Sequence, residues 1–179
     1  MGHRGRALLV DLAVGLAAGL AATKATDLAQ RPLRRATPDS VKRREERVSP
    51  GPSSSHAAAR KVAERLGRPL DERRLKPVAE AIHYGLGAAW GPVYGLLRRH
   101  GGMRPLGAGL VAGASLALVV DEGLTPALGL SAPNRDYPAA THVRGLLAHL
   151  VWGAAAALAA EAIYRLAGTV PGRAGPPLP

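Results

Sequence analysis

Apolar residues gather into four long runs, at 7–23, 77–97, 105–120 and 145–160, separated by stretches rich in charge, proline and glycine. Each run approaches the ~20 residues that an α-helix needs to cross a bilayer. A soluble amphipathic helix would show a polar residue at every third or fourth position on its outer face. Residues 105–120 hold only Ser115 as a polar side chain, and 150–160 hold no charge. The pattern therefore predicts an all-α, polytopic membrane protein. It is a four-transmembrane-helix bundle in one membrane domain (1–179), with spans at 7–25, 77–97, 105–121 and 141–166. The alternative, an Ala-rich soluble bundle, fits the pattern less well.

Breaker residues set the connections. Arg31-Pro32 ends the first helix, and a basic Pro/Ser-rich loop (26–76) follows, centred on Ser49-Pro50-Gly51-Pro52-Ser53-Ser54-Ser55. Within it a short amphipathic helix is expected at 56–66, stopped by Gly67-Arg68-Pro69. Pro77 and Pro105 suit the first turns of the second and third spans. Pro92 kinks the second, and a Pro-punctuated loop (Pro126, Pro133, Pro138) leads to the fourth. The Gly/Pro-rich tail, 168–179, is expected to be disordered. The N-terminus superficially resembles a signal peptide, but its apolar run is long and contains Asp11, so a retained first helix is expected. Glycines four residues apart (Gly15 and Gly19; Gly87, Gly91 and Gly95; Gly109 and Gly113) form stripes that let helices approach closely, within the chain or in a homo-oligomer.

Charge refines this picture. The chain of 179 residues carries a formal net charge of +11 and no cysteine, which excludes disulfides and thiolate metal sites. Residues 24–76 hold 15 of the 24 Lys and Arg and 7 of the 13 Asp and Glu. A basic segment beside a bilayer favours anionic lipid headgroups. Nucleic acid is not an expected partner, because the segment has no aromatic residue to stack on bases and no recognition motif.

In hydrocarbon every ionisable residue becomes a functional suspect. Alternating spans gather Glu80, His83, Asp121, Glu122, His142 and His149, with Lys24 and Asp27, at one side of the bundle. Tyr94 falls near the stripe of Glu80 and His83. Asp11, Glu161 and Arg165 gather at the other side beside Arg98 and Arg99. The plainest role for the first group is interfacial pairing and helix capping. A sharper one is a proton-responsive layer, since histidine titrates near neutral pH and a carboxylate neighbour tunes it. A third is haem or metal ligation by His83 and His149. No phosphate loop, Ser/His/Asp spacing or zinc-protease motif occurs. The expectation is therefore a non-enzymatic protein without a cofactor, the alternatives being a membrane-embedded haem or metal protein and an anionic-lipid-binding scaffold using 24–76.

The second half carries an ordered set of features: His83, Tyr94, Gly109-Leu110-Val111-Ala112-Gly113, Pro126, Gly129-Leu130, Pro133, Asp136-x-Pro138 and His149-Leu150-Val151-Trp152. This set resembles the YagU-type inner-membrane proteins, as does Gly15-Leu16-Ala17-Ala18-Gly19 ahead of Lys24. The resemblance covers most of the chain except 36–72 and the tail. The chain departs from it at Asp121, where a histidine is expected, and in its basic loop. The resemblance implies a four-helix, multi-pass protein of the bacterial inner membrane, associated with acid tolerance, and it supplies no catalytic or binding residues. It favours cytoplasmic termini, the orientation expected here. The charge rule alone favours the reverse, with 17 Lys and Arg on the loop side against 7 on the side of the termini.

Overall fold

The computed structural model describes residues 3–170, all helix and connection, with no strand among them. Helix α1 runs His3–Ala36, α2 Asp39–Val48, α3 Ser54–Arg65, α4 Glu72–Arg99 and α5 Pro105–Leu116. From α5 the chain passes directly into a π-helical segment, Ala117–Leu124, and a single turn, α6, Thr125–Ala127. A 3₁₀ turn, Asn134–Asp136, precedes α7, Ala139–Leu166.

Three stretches are long and apolar enough to cross a membrane: Ala7–Ala36, Pro105–Ala127 and Ala139–Leu166. The fourth expected span, 77–97, makes up most of α4, which matches α7 in length at 28 residues. Its apolar character is diluted by Glu80, His83, Tyr84, Pro92, Tyr94 and its glycines, so it does not join the other three.

Helix boundaries differ from the sequence expectation in three places. Helix α1 continues through Pro32 to Ala36. Helix α4 starts at Glu72, ahead of Pro77, because Asp71 caps it, its carboxylate accepting from Arg74 N at 2.9 Å. The expected loop is largely helical. Helix α3 is capped by Ser53, whose hydroxyl accepts from His56 N, and α2 has Asp39 in its first turn and Arg47 in its last, the signs that suit its dipole. Helix α7 ends at Leu166, and Gly168 beyond it adopts φ +64° and lets Thr169 N donate back to Tyr164 O at 2.9 Å. Residues 171–179, most of the tail expected to be disordered, lie outside the described residues.

Four long helices form the bundle. Helix α1 packs antiparallel to both α4 and α7, and α5 packs antiparallel to α7 and also touches α4. Glycines set the spacing. A Cβ on Gly91 would meet Gly15 O at 1.8 Å, and one on Gly153 would meet Gly109 O at 2.0 Å. Such backbone approach is open only to glycine, and between helices in lipid close packing replaces the hydrophobic drive. The core is accordingly made of small residues (Ala18, Ala22, Ala108, Ala112, Ala156, Ala160) around Tyr94, Trp152 and Tyr164. Large apolar side chains face outward: Leu8, Leu12, Leu16 and Leu20 form a stripe on α1, each 39–50% exposed. Small inside and large outside inverts the pattern of a water-soluble bundle and suits hydrocarbon surroundings. Two short helices dress one end. Helix α3 seats Ala59 against Leu75 and Ala79 of α4. Helix α2 docks on the start of α7 through Glu45, whose Oε2 accepts from Arg144 Nη2 at 3.0 Å and whose Oε1 lies 2.9 Å from Arg144 Nη1 and accepts from the Thr141 hydroxyl.

Candidate functional site

The bundle carries two polar layers at opposite ends. The first joins the start of α1 to the ends of α4 and α7. Arg99 donates to both carboxylate oxygens of Asp11, with Nη2–Oδ1 at 2.9 Å, and Tyr164 OH donates to Asp11 Oδ1 at 2.9 Å. Arg98 Nε and Tyr94 OH each donate to Glu161 Oε1 at 2.8 Å. Asp11, Arg98 and Glu161 are buried. Two arginines balance two carboxylates and each carboxylate also takes a tyrosine hydroxyl, so the layer is neutral and bonded across three helices. Arg165 is exposed and takes no part.

The second layer is built on histidines. His83 Nε2 of α4 lies 3.0 Å from Asp27 Oδ1 of α1, and Tyr84 OH donates to Asp27 Oδ2 at 2.8 Å. His149 Nε2 of α7 lies 2.7 Å from Asp121 Oδ2. His142, two turns earlier on α7, places Nδ1 2.7 Å from Glu122 Oε1 and Nε2 3.0 Å from Asn134 O, while Asn134 Nδ2 donates to Glu122 O at 2.8 Å. Each histidine thus has its own carboxylate on a different element. The ring of His142 faces an acceptor on both nitrogens and satisfies both only when doubly protonated.

The π segment makes the second and third pairs. Its widened turns carry Asp121 and Glu122, and the two consecutive carboxylates reach histidines seven residues apart on α7. Eight successive π-helical residues are unusual, and such segments concentrate at functional sites.

Between α1, α4, the π segment and α7 lies a cavity of ≈ 560 Å³, with the start of α3 at its rim. Its walls are mainly apolar. Asp27, Glu80, His83, Asp121 and His149 supply the charged and titratable lining within the bundle. Of the six residues read from the sequence as one polar cluster, Glu80, His83, Asp121 and His149 therefore share this cavity, while Glu122 and His142 pair beside it. Lys24 is exposed. In the cavity wall Trp152 Nε1 donates to Thr23 Oγ1 at 3.2 Å. Among the described residues no group of three or more His, Asp or Glu converges as a metal site. The Nε2 atoms of His83 and His149 each face a carboxylate.

The seven glycines singled out from the sequence divide. Gly15, Gly19, Gly87, Gly91, Gly109 and Gly113 lie in backbone or side-chain contact too close for a Cβ, whereas a Cβ at Gly95 would make ordinary contacts, at 3.4 Å, with Asp11 and Tyr164. Sequence reasoning missed Gly153, the partner of Gly109. It also grouped Tyr94 with His83, although eleven residues of helix separate the two by about 16 Å. Tyr94 belongs to the opposite layer. Asp27, placed on that side from the sequence, joins the layer on His83, and Tyr84 is the partner that sequence reasoning missed. Its signal was its place next to His83 in α4.

The fold defines a small all-helical protein whose long apolar helices fit it for a membrane, with neutral arginine–carboxylate links at one end and histidine–carboxylate pairs at the other. No protein-family model, curated protein or solved structure matches the chain.

Proposed function

We propose that the chain is a four-span protein of the bacterial inner membrane, of the YagU type, whose histidine layer responds to pH. Helix α4 is the fourth span in this reading. It lies antiparallel to α1 along a shared glycine face and ends level with the start of α1, where Arg99 meets Asp11. A bilayer that covers α1 and α7 therefore covers α4.

One observation carries the pH response. Three histidines are each hydrogen-bonded to a carboxylate on another element, all at one end, and two of the pairs line one cavity. Histidine changes charge between about pH 5 and 8. In each pair protonation turns a neutral–anionic hydrogen bond into an ion pair, which is stronger where water is scarce. The links from α1 to α4 and from the π segment to α7 thereby tighten or loosen together with the proton concentration on that side of the membrane. No reaction is assigned to this layer.

Histidine resonances followed by NMR through about pH 5 to 8 in micelles test the reading. Asp27→Asn is expected to move the titration midpoint of His83 alone, and Asp121→Asn that of His149 alone. In a Trp90→Phe background, which leaves Trp152 against the cavity as the remaining tryptophan, emission is expected to follow the same midpoints. Midpoints unmoved by either substitution, with a tryptophan signal flat across the range, would overturn it.

A further inference from the structure

The outer face of α1 changes chemistry along its length. Leu8, Leu12, Leu16 and Leu20 recur every fourth residue and face outward, and the same stepping continues through Lys24 and Leu28. Arg31 and Arg35 join this stripe. By helical geometry Lys24, Arg31 and Arg35 lie within about 40° of one another around the axis, and all three are exposed. The stretch Ala7–Ala36 is 30 residues long, about 45 Å at 1.5 Å per residue, against about 30 Å of hydrocarbon. With Leu8 to Leu20 in lipid, the overhang falls at the Arg31 and Arg35 end. Lys24 reaches the same level along its aliphatic stem.

The carboxylates that could neutralise these cations are taken. Asp27, one turn from both Lys24 and Arg31, is bound by His83 and Tyr84. Further along, Asp39 pairs with Lys42, Glu45 with Arg144 and Glu46 with Arg34. Lys24, Arg31 and Arg35 have no ion-pair partner among the described residues. We propose that this stripe holds anionic phospholipid, its chains along Leu12, Leu16 and Leu20 and its phosphate among Lys24, Arg31 and Arg35. Leucines and then cations follow each other on one face in the order in which a phospholipid presents chain and headgroup. That order fits a lipid rather than a soluble anion. The guanidinium fork suits a phosphate through two parallel bonds. Each Lys or Arg near the bilayer surface favours an anionic lipid about fivefold. The proposal rests on α1 spanning the bilayer and is independent of the histidine layer.

The chain has no cysteine, so a single Leu20→Cys substitution, labelled with bimane, reports on the lipid one turn from Lys24. The full chain is reconstituted in phosphatidylcholine bilayers that contain a minor fraction of dibrominated phosphatidylglycerol or of dibrominated phosphatidylcholine. Quenching by the two lipids gives their relative affinity for the stripe. Phosphatidylglycerol is expected to be preferred about fivefold at about 0.1 M salt. The preference is expected to fall below about twofold at about 1 M salt, where the screening length shortens from about 10 Å to about 3 Å. Lys24→Gln, Arg31→Gln and Arg35→Gln together are expected to abolish it. The same change at Arg65, Arg68 and Arg73, exposed cations off the stripe, is expected to leave it in place. Equal quenching by the two lipids overturns the proposal without reference to any charge variant. A preference that survives the first triple variant, or that both triple variants lose alike, also overturns it. If decaglutamate or an oligonucleotide binds the reconstituted chain through these three cations and no lipid preference is seen, the stripe belongs to a soluble polyanion instead. Quenching by neither lipid takes α1 out of the bilayer, and the membrane reading then falls as well.

Discussion

Adding one methyl group at Gly91 tests the packing on which both layers depend. A Cβ there would lie 1.8 Å from Gly15 O, 2.6 Å from Gly15 C and 3.2 Å from Gly19 N, all backbone atoms with no rotamer to yield. Real Cβ contacts do not fall below 3.0 Å, so α1 and α4 must part by about 1 Å or more. A gap of that size forfeits about a quarter to a half of each dispersion contact it opens, and the face it opens includes Gly15 against Pro92 and Gly19 against Gly87. Overpacking of this kind costs about 1–3 kcal/mol, and lipid supplies no hydrophobic drive to restore the contact. Gly85 on the same helix is the internal control, because nothing lies within 4 Å of a Cβ placed there. Alanine at 85 simply removes the helix penalty of glycine, about 1 kcal/mol. Gly91→Ala is therefore expected to destabilise by about 2 kcal/mol, a factor of about 30 in the unfolding equilibrium. Gly85→Ala is expected to be neutral or stabilising. Unfolding by SDS in bicelles, followed by tryptophan fluorescence, measures both. Equal shifts of the same sign would refute the close approach of α1 and α4.

Further predictions concern the charged contacts. Glu161→Gln leaves the buried Arg98 without its counter-charge and is expected to cost about 3–5 kcal/mol in the same assay, whereas Glu161→Met combined with Arg98→Met recovers most of that loss. At Glu45 burial works to raise the carboxyl pKa, but hydrogen bonds from Arg144 and Thr141, with the Arg144 charge, outweigh it and hold the pKa below the ordinary 4.5. A depressed carboxylate contributes stability in full above its unfolded value and loses it as pH falls through the folded one. Hydrogen-exchange protection of α2, measured relative to α5, is thus expected to hold at about pH 6 and drop towards about pH 3, and Glu45→Gln is expected to remove that dependence.

The long helices are legible in the sequence because their signals are local: runs without charge, and glycines one turn apart. Alternating direction then places His83 and His149 at one end and Asp11 and Glu161 at the other. What escapes such reading depends on partners. Helices α2 and α3 lie in a segment whose charge hides any apolar face. Their support comes from docking, Glu45 on Arg144 and Ala59 on Leu75. The π segment has no mark in Ala117–Leu124, since the widened turn is sustained by the reach of Asp121 and Glu122 to two histidines across the bundle. The glycine stripes showed where helices approach, yet not which helix each meets, and so Gly153 went unpaired until its neighbour Gly109 was in place.

The arginine–carboxylate links tie α1, α4 and α7 at one end only. Along α4, Arg98 and His83 stand about 22 Å apart at 1.5 Å per residue. A tilt of about 5° about that anchored end displaces His83 by roughly 2 Å, most of the length of a hydrogen bond. The molecule is in this sense a lever whose fulcrum is Asp11 and Glu161, so that small adjustments among buried charges at one end of the bundle are magnified at the other.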